Sequence, residues 1–577
     1  MEKKLSSLLD AFDFKAVAAD GESPLDMSLI GATPVCGLAF DSREVKDNYL
    51  FFALPGTHVN GNRFIAPAID AGASVIVYQG ELTKEESAQV ARAVVSRALG
   101  NIADEKKKLS DLVMPVLLKT SDARKAMAPV AADFYGNPSK KLIVIGVTGT
   151  EGKSSTVSFI WQLLRLSGKK AGFISTVQYS LGGDAVANPV HATTPEAPII
   201  QRELFEMVQN GCEYAVVESS SHGLSQSLGR LDKVLFDCGV FMNVTLEHLE
   251  FHKTFEKYRD DKANLFRALD LHDHHKIVNN VDLDVVPCGV VNLDDPSAEY
   301  FCKATNAACY GFTAKAEGDG GAANQNGAKA AAANVDCVRA QKINAAQDFL
   351  EFEITHSAAF DGRDENVTAR TTCVGAFNAL NIMAAMIAVN KMAGVPLREL
   401  CRRAASLIPI TGRMTKIARG QDFEVIVDYA HTPSSFETIF PPLRARCGAK
   451  IFALFGSGGE RDLTKRPLQG QIAARYCDTI ILCDEDPRGE DPRELLEQIA
   501  AGALKEGKVR DKDLFITPDR PQAIRQAFKM AKKGDIVLLL GKGHENSIIY
   551  KDKTIPYDEI AEAKKALSEM GYNEEEI

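Results

Sequence analysis

Residues 142–164 read LIVIGVTGTEGKSSTVSFIWQLL, and the fold follows from how that stretch changes character. A β-branched apolar run gives way to a loop with Gly146, Gly149 and Gly152, after which Lys153, Ser154 and Ser155 open a segment with helical apolar spacing. Strand, glycine loop and helix in this order cradle phosphate: glycines bring backbone N–H groups close to oxygens, and the helix start adds partial positive charge. Lys153 is placed to reach the β- and γ-phosphates, and Ser154 offers a hydroxyl to Mg2+. The stretch is read as an ATP site lined by Gly149, Thr150, Gly152, Lys153, Ser154 and Ser155. The strict pattern has glycine where Val147 stands, and a glycine turn before a helix is often only a turn.

Bulk composition narrows the class. A chain of 577 residues, 45% of them hydrophobic, divides into three or four globular domains. A formal charge of −10 argues against nucleic acid or an anionic membrane as a general partner, so phosphate must be met by locally placed Lys and Arg. The first residues lack a signal-peptide core, and no run of about 18 apolar residues occurs, so a cytoplasmic location is expected. Twelve cysteines without a CxxC pair read as reduced, mostly buried thiols.

Along the chain, a strand-like run at 49–54 ends in a polar turn, and residues 83–111 form a charged, Ala-rich helical stretch opened by a Thr83-x-x-Glu86 capping box. That stretch is expected to be a surface elaboration without chemistry. A turn-rich segment at 135–139 closes a first domain of residues 1–139. From 140 to 410, apolar strands alternate with helices, the signature of a mainly parallel sheet covered on both faces. Within it, Glu218 ends a buried strand and can complete a Mg2+ sphere begun by Ser154. His272-Asp-His-His275 is expected to be a solvated loop rather than a metal site, and 313–334, rich in Ala, Gly and Asn, a surface loop. Asn378 can cap the helix that follows it. Residues 411–577 again alternate strands and helices, with four polar loops expected at one sheet edge: 428–433, 456–467, 485–488 and 541–545.

The Gly-Thr-x-Gly-Lys-Ser loop preceded by Val-Thr resembles the Mur ligase family, ATP-dependent amino-acid-adding enzymes of peptidoglycan synthesis. Glu151 departs from that family, which usually has Asn there. A carboxylate beside bound phosphates is unfavourable unless it points outward or meets a cation. The resemblance implies a three-domain α/β fold: a smaller N-terminal uridine-diphosphate domain, a central P-loop ATPase-like doubly wound sheet, and a Rossmann-like C-terminal domain for the incoming amino acid. It places Ser42, Arg43, Asn60 and Gly61 at the uridine nucleotide, and Thr193, Thr194, Ser220, Gln226 and Arg230 at the muramoyl-peptide. The pattern Asn-x-Thr-x-x-His followed by lysine implies that His248 binds a second Mg2+. It also implies that Lys262 is carbamylated by carbon dioxide, chemistry that needs a neutral amine. Asn381 is implied at adenine, and Arg413 and Asp428 at the nucleotide from across the domain gap.

The C-terminal loops resemble the branch of the family that adds the third residue, with Arg461, Asp486, Arg488, Gly541 and Glu545 in the amino-acid pocket. Arg488 suits a carboxylate, whereas Asp486 stands where the diaminopimelate-adding pattern has Asn and favours a terminal ammonium. Lysine or ornithine is therefore expected over meso-diaminopimelate. Small-molecule substrates and a monomer are expected. The competing readings are a related amide ligase such as folylpolyglutamate synthase, and an inactive nucleotide-binding scaffold suggested by Glu151.

Overall fold

The computed structural model describes residues 1–18, 21–56, 60–103, 114–189, 192–245, 247, 249–315, 335–361 and 366–574. His248 and most of the 313–334 insertion therefore lie outside the described residues. Three main sheets organise what is described, in chain order.

The first has five strands in the order Lys15–Val17, Val116–Thr120, Ala73–Gln79, Tyr49–Ala53, Gly37–Ala39, parallel except for the first pair. The Thr83/Glu86 capping box forms, with Thr83 N donating to Glu86 Oε2 at 2.8 Å and Glu86 N to Thr83 Oγ1 at 3.2 Å. The helix it opens, Lys84–Ala103, is more than surface decoration: Val90, Ala93 and Val94 are buried against one sheet face. Helix Ala123–Phe134 covers the other face.

Seven parallel strands make the middle of the central sheet, with two antiparallel strands closing each edge. The Ile143–Thr148 strand runs between Tyr214–Glu218 and Cys238–Phe241, so the loop that follows it opens at the carboxyl ends of three adjacent strands. Gly146 belongs to that strand rather than to the loop, and it is glycine for packing, since a side chain there would run into Leu265 and Phe236. Helix Lys153–Leu166 packs on one face beside Phe377–Ala393, a helix apolar on nearly every side and correspondingly buried. Helices Ala197–Gln209 and Phe255–Arg267 cover the opposite face.

The third sheet runs in the order Thr415–Ile417, Glu424–Asp428, Ile536–Leu540, Ile451–Phe455, Thr479–Leu482, Leu514–Ile516, parallel except for the first strand. The late strand Ile536–Leu540 is inserted between two early ones, and the chain reverses direction across the sheet there. The carboxyl edge at such a reversal is where loops gather into a crevice. All twelve cysteines are free thiols, eight of them buried.

Candidate active site

The phosphate loop is shaped from three sides. Gly149 and Gly152 take φ of +157° and +82°. At Gly152 a Cβ would also lie 2.5 Å from Asn381 Oδ1, so the loop and the asparagine expected at adenine are in direct contact. Asn381 is oriented by Asn378, whose Oδ1 accepts from its Nδ2 at 2.9 Å. Asn378 itself does not cap the helix: it lies inside the first turn and donates to Val374 O at 2.7 Å. From the sheet side, Asn243 Oδ1 accepts from the N–H groups of Thr150 and Glu151 at 3.1 and 2.8 Å, and its Nδ2 donates to Glu151 O at 3.2 Å. Sequence reading missed Asn243, although it is the first residue of the Asn-x-Thr-x-x-His pattern.

Ser154 and Glu218 meet as expected of two groups sharing one cation. The hydroxyl donates to Glu218 Oε1 at 3.1 Å, while Ser175 Oγ and Thr176 N hold Oε2 at 2.6 and 2.9 Å. Glu218 is buried, and its oxygens are oriented by neutral donors, which leaves its charge uncompensated by any cation in contact among the described residues. A buried oxygen pair of this kind suits Mg2+. Lys153 Nζ lies over the loop, donating to Thr150 O at 2.7 Å.

Lys262 enters from the opposite face. It is 1% exposed, donates to Gly149 O at 2.7 Å and lies 4.5 Å from the Tyr258 ring centre. Burial, and then the nearby charge of Lys153, push its amine well below the ordinary lysine pKa, against the pull of Glu247, Glu151 and Glu218. These surroundings fit a lysine that reacts as a neutral amine.

Thr194, Ser220 and Arg230 are brought together. Thr194 Oγ1 donates to Glu218 O at 2.9 Å and accepts from Ser220 N at 3.0 Å, and Arg230 donates to Thr194 O at 2.9 Å. Arg230 also pairs with Glu196 at 2.9 Å, and Arg124 of the first sheet's domain meets the same carboxylate at 3.0 Å. Thr193 is half-buried beside them, while Gln226 is exposed on the next turn. In the first domain, Ser42 and Arg43 follow one strand, and Asn60 and Gly61 follow its parallel neighbour, so both turns leave the same sheet edge. Arg43, its side chain 87% exposed, pairs with Asp41 at 2.5 Å, and Asn60 caps its own turn by accepting from Asn62 N at 3.2 Å. Gly61 is required sterically, since a Cβ there would meet Leu54 O at 2.2 Å.

The C-terminal loops converge. Gly541 N donates to Asp428 O at 3.1 Å, Tyr429 OH to Glu545 Oε1 at 3.2 Å, and Gly459 N to Asp486 O at 2.8 Å. Asp428 accepts from the N–H groups of Met414 and Ala430 at 2.7 Å each; burial raises its pKa, and Arg413 opposes that rise. Arg413 lies over the Tyr429 ring at 4.7 Å with its buried Nε unbonded.

Asp486 differs from the expectation of a bare negative charge. Lys542, fully buried, donates to Asp486 Oδ1 at 2.9 Å and to Glu545 Oε2 at 2.5 Å, and Ile549 N adds a bond at 3.0 Å. Two neighbouring carboxylates have a spare buried oxygen, Asp484 Oδ1 and Glu485 Oε2, and that of Glu485 faces Gly541, where a Cβ would come within 2.5 Å. Arg488, half-buried in the left-handed region at φ +54°, also has a buried unbonded Nε, whereas Arg461 is exposed.

His272 and His274 are not a solvated cluster. His274 Nδ1 donates to Asp237 Oδ1 at 2.9 Å and Nε2 to Leu269 O at 2.6 Å; His272 Nε2 donates to Phe236 O at 2.8 Å. Asp237, His272 and His274 have ligand atoms close enough for a cation, but Lys276 Nζ sits 2.9 Å from Asp237 Oδ2. With the His274 nitrogens and the carboxylate engaged, the group serves as a strut between the hairpin of strands His275–Val278 and Val281–Asp284 and the sheet.

Family models match in three consecutive pieces: the Mur ligase family catalytic domain over 34–135, the Mur ligase middle domain over 147–389, and the Mur ligase glutamate ligase domain over 412–543. A UDP-N-acetylmuramyl-tripeptide synthetase of Treponema denticola is 47% identical over 91% of this chain and 90% of its own length. The chain belongs to the Mur ligase family. It is an ATP-dependent ligase of peptidoglycan synthesis that forms an acid–amino-acid bond. A UDP-N-acetylmuramoyl-L-alanyl-D-glutamate--2,6-diaminopimelate ligase of Geobacillus kaustophilus is 35% identical over 94% of this chain and 96% of its own length. The fold is shared with a solved ligase of that same name, with a TM-score of 0.56 at 23% identity, covering 99% of this chain and 100% of the other. No helix among the described residues is long and apolar enough to cross a membrane.

Proposed function

We propose that this Mur ligase adds a diamino acid to the D-glutamate of UDP-N-acetylmuramoyl-L-alanyl-D-glutamate. The γ-phosphoryl of ATP moves to the substrate carboxylate, giving ADP and an acyl phosphate; the amine attacks the acyl carbon and phosphate leaves. A carboxylate needs this activation because oxide is a poor leaving group, and the protein's share is positioning and charge stabilisation. The observation that carries the reading is the convergence of Lys153, the Ser154–Glu218 pair and the buried amine of Lys262 on one phosphate loop.

In this reading Gly149, Thr150, Gly152 and Ser155 line the phosphates, Asn381 meets adenine, and Arg413 and Asp428 approach from the C-terminal domain. Ser154 and Glu218 would hold one Mg2+ and His248 a second, and the two ions would supply charge neutralisation on the transferring phosphoryl group. Lys262, as a carbamate formed with carbon dioxide, would support both cations. Ser42, Arg43, Asn60 and Gly61 take the uridine nucleotide, Thr193, Thr194, Ser220, Gln226 and Arg230 the muramoyl-peptide, and Arg461, Asp486, Arg488, Gly541 and Glu545 the amino acid. Domain limits fall at 139/140 and 410/411, and the enzyme acts as a cytoplasmic monomer. Lysine or ornithine remains the favoured amino acid, now on the spare oxygen of Glu485 rather than on Asp486.

The test is phosphate release from ATP in the presence of UDP-muramoyl-dipeptide and a panel of amino acids. The wild type turns over with a diamino acid, and Lys153→Ala loses about a thousandfold, ~4 kcal/mol in the barrier, without losing its fold. Turnover with folate and glutamate instead would support the folylpolyglutamate alternative, and no turnover with either would support the scaffold.

A further inference from the structure

The residue that fits the phosphate loop least well by charge is Glu151, and its side chain does not face the loop's interior. Its backbone is clamped on both sides by the Asn243 amide, which leaves the side chain to project. Glu151 Oε1 accepts a hydrogen bond from Thr432 Oγ1 at 2.8 Å, across the seam between the central and C-terminal domains. Among the described residues it makes no ion pair, with Lys153 or any other cation.

Thr432 is a specific counterpart. It is the N-cap of helix Pro433–Arg446, where its oxygen accepts from Ser435 N at 3.1 Å. The one hydroxyl proton also has Ser435 Oγ at 2.9 Å and Ser434 Oγ at 3.1 Å within reach, but Glu151 at 2.8 Å is the ionised acceptor, and a hydrogen bond to an ionised acceptor is roughly twice as strong as a neutral one. The partial positive charge at the helix start adds to the attraction. The carboxylate thus finds an outward partner that offsets its charge, and a phosphate need not approach it.

A second contact lies beside the first. Thr245, whose N–H donates to Thr150 Oγ1 at 3.0 Å, donates its own hydroxyl to Ser434 Oγ at 3.2 Å, and Glu247 lies 3.7 Å from His431. Residues 428–432 lead directly into this helix and are bonded through Asp428 to Gly541 and through Tyr429 to Glu545. Moving Thr432 therefore moves the amino-acid loops with it.

We propose that Glu151 is a positioning residue that seats the C-terminal domain on the phosphate loop through Thr432, and so fixes how far the incoming amine stands from the acyl phosphate. The inference rests on the functional reading above for where the amine binds. It predicts an unequal effect on the two half-reactions: the first draws mainly on the central domain's loop, with Arg413 and Asp428 reaching the nucleotide from the C-terminal domain, whereas the second depends wholly on the C-terminal domain being in its seat.

The test compares full-length wild type with Glu151→Ala, Glu151→Gln, Thr432→Val and Thr432→Ser, and the double variant Glu151→Ala/Thr432→Val, each first checked for folding by thermal melting. Acyl-phosphate formation is followed as positional isotope exchange in ATP with UDP-muramoyl-dipeptide and no amino acid. Overall turnover is followed against amino-acid concentration, and small-angle scattering reports the separation of the domains. Glu151→Ala is expected to leave exchange within about threefold while lowering kcat/KM for the amino acid about tenfold or more, the range expected for losing a charge-assisted bond. Thr432→Val should do the same, the double variant no more than either, and Thr432→Ser, which keeps cap and donor, little. Glu151→Gln should fall between, and the radius of gyration should rise in the Ala and Val variants. Equal losses in exchange and turnover would make Glu151 a nucleotide-site residue and overturn the proposal, as would unchanged amino-acid kinetics or additive effects in the double variant. Absence of exchange in the wild type would instead defeat the functional reading, and the scattering comparison would still test the seat.

Discussion

Lys262 and Lys276 are both removed from water in the same domain, and their surroundings are opposite. Lys276 ends 2.9 Å from Asp237 Oδ2 and donates to the carbonyls of Ser139 and Leu235 at 2.9 and 3.0 Å. Lys262 touches one carbonyl and an aromatic ring and lies near Lys153; Glu247, Glu151 and Glu218 attract it from a distance, but among the described residues no carboxylate is in contact with it. Burying an ammonium costs several kcal/mol unless a counter-ion and hydrogen bonds offset it. The first site meets that requirement and is a strut. The second leaves it unmet, and an unmet electrostatic cost beside a phosphate loop supports the proposed role of Lys262 in the chemistry.

The sharpest way to break this contrast is to remove each lysine in turn. Lys262→Ala should lose about a thousandfold in turnover, ~4 kcal/mol of barrier, with partial recovery on adding formate or acetate, which can occupy the anionic position. Its melting temperature should hardly change, because no buried counter-charge is orphaned. Lys276→Met should do the reverse: stability falls by about 3 kcal/mol as Asp237 is left buried with less compensation, while turnover per folded molecule stays within about twofold. Urea denaturation and phosphate-release kinetics on the same preparations decide it. A destabilised, fully active Lys262→Ala would make the two lysines alike and return Lys262 to a structural role.

The contrast also explains what could be read from the chain beforehand. The phosphate loop was legible because its geometry is made by consecutive residues: an apolar strand, glycines free to take positive φ, and a helix start. The three-part α/β organisation was legible for a similar reason, since strand and helix periodicities alternate along the chain. The partners of the charges were not. Asn243, Ser175 and Thr176 reach the site only because their strands lie beside Ile143–Thr148 or Tyr214–Glu218, a neighbour relation that local sequence does not encode. The histidines at 272 and 274 read as loop residues because their segment is polar. Residues 236 and 237, just before the Cys238–Phe241 strand, supply acceptors that remove them from water. Glu151 showed its charge but not its direction, which is set by a helix 281 positions further along.

Lys542 sharpens the comparison a third time, as a buried lysine inside the proposed amino-acid pocket. It carries two carboxylates, Asp486 and Glu545, whose attraction raises its pKa against the effect of burial. While Lys542 is present, Asp486 offers little net charge to a ligand, and Glu485 and Arg488 are left to choose between an ammonium and a carboxylate. Lys542→Met should release the two acids and shift preference toward lysine or ornithine, relative to meso-diaminopimelate, by about tenfold in kcat/KM, ~1.4 kcal/mol. In the wild type, competition among the three at equal concentration should favour lysine or ornithine. If diaminopimelate has the highest kcat/KM, Arg488 outweighs Glu485.

The smallest expected effect comes from His274, which shares Asp237 with Lys276. Burial lowers its pKa, but the hydrogen bonds to Asp237 and to the Leu269 carbonyl more than reverse this, so the folded-state pKa is raised. Both ring nitrogens face acceptors, an arrangement only the protonated ring satisfies with two donors. The sign follows from linkage: a pKa raised on folding means the folded state binds the proton more tightly. The extra stability is present in full below the unfolded value of about 6.5 and disappears as pH rises through the folded one. Replacing His274 by Gln, which cannot carry charge, should therefore cost on the order of 1 kcal/mol at acidic pH and less at alkaline pH. Urea midpoints for wild type and His274→Gln at pH 5.5 and 8.5 measure the gap. A gap that widens with pH would mean the ring is neutral in the fold, and Lys276 alone would then hold Asp237.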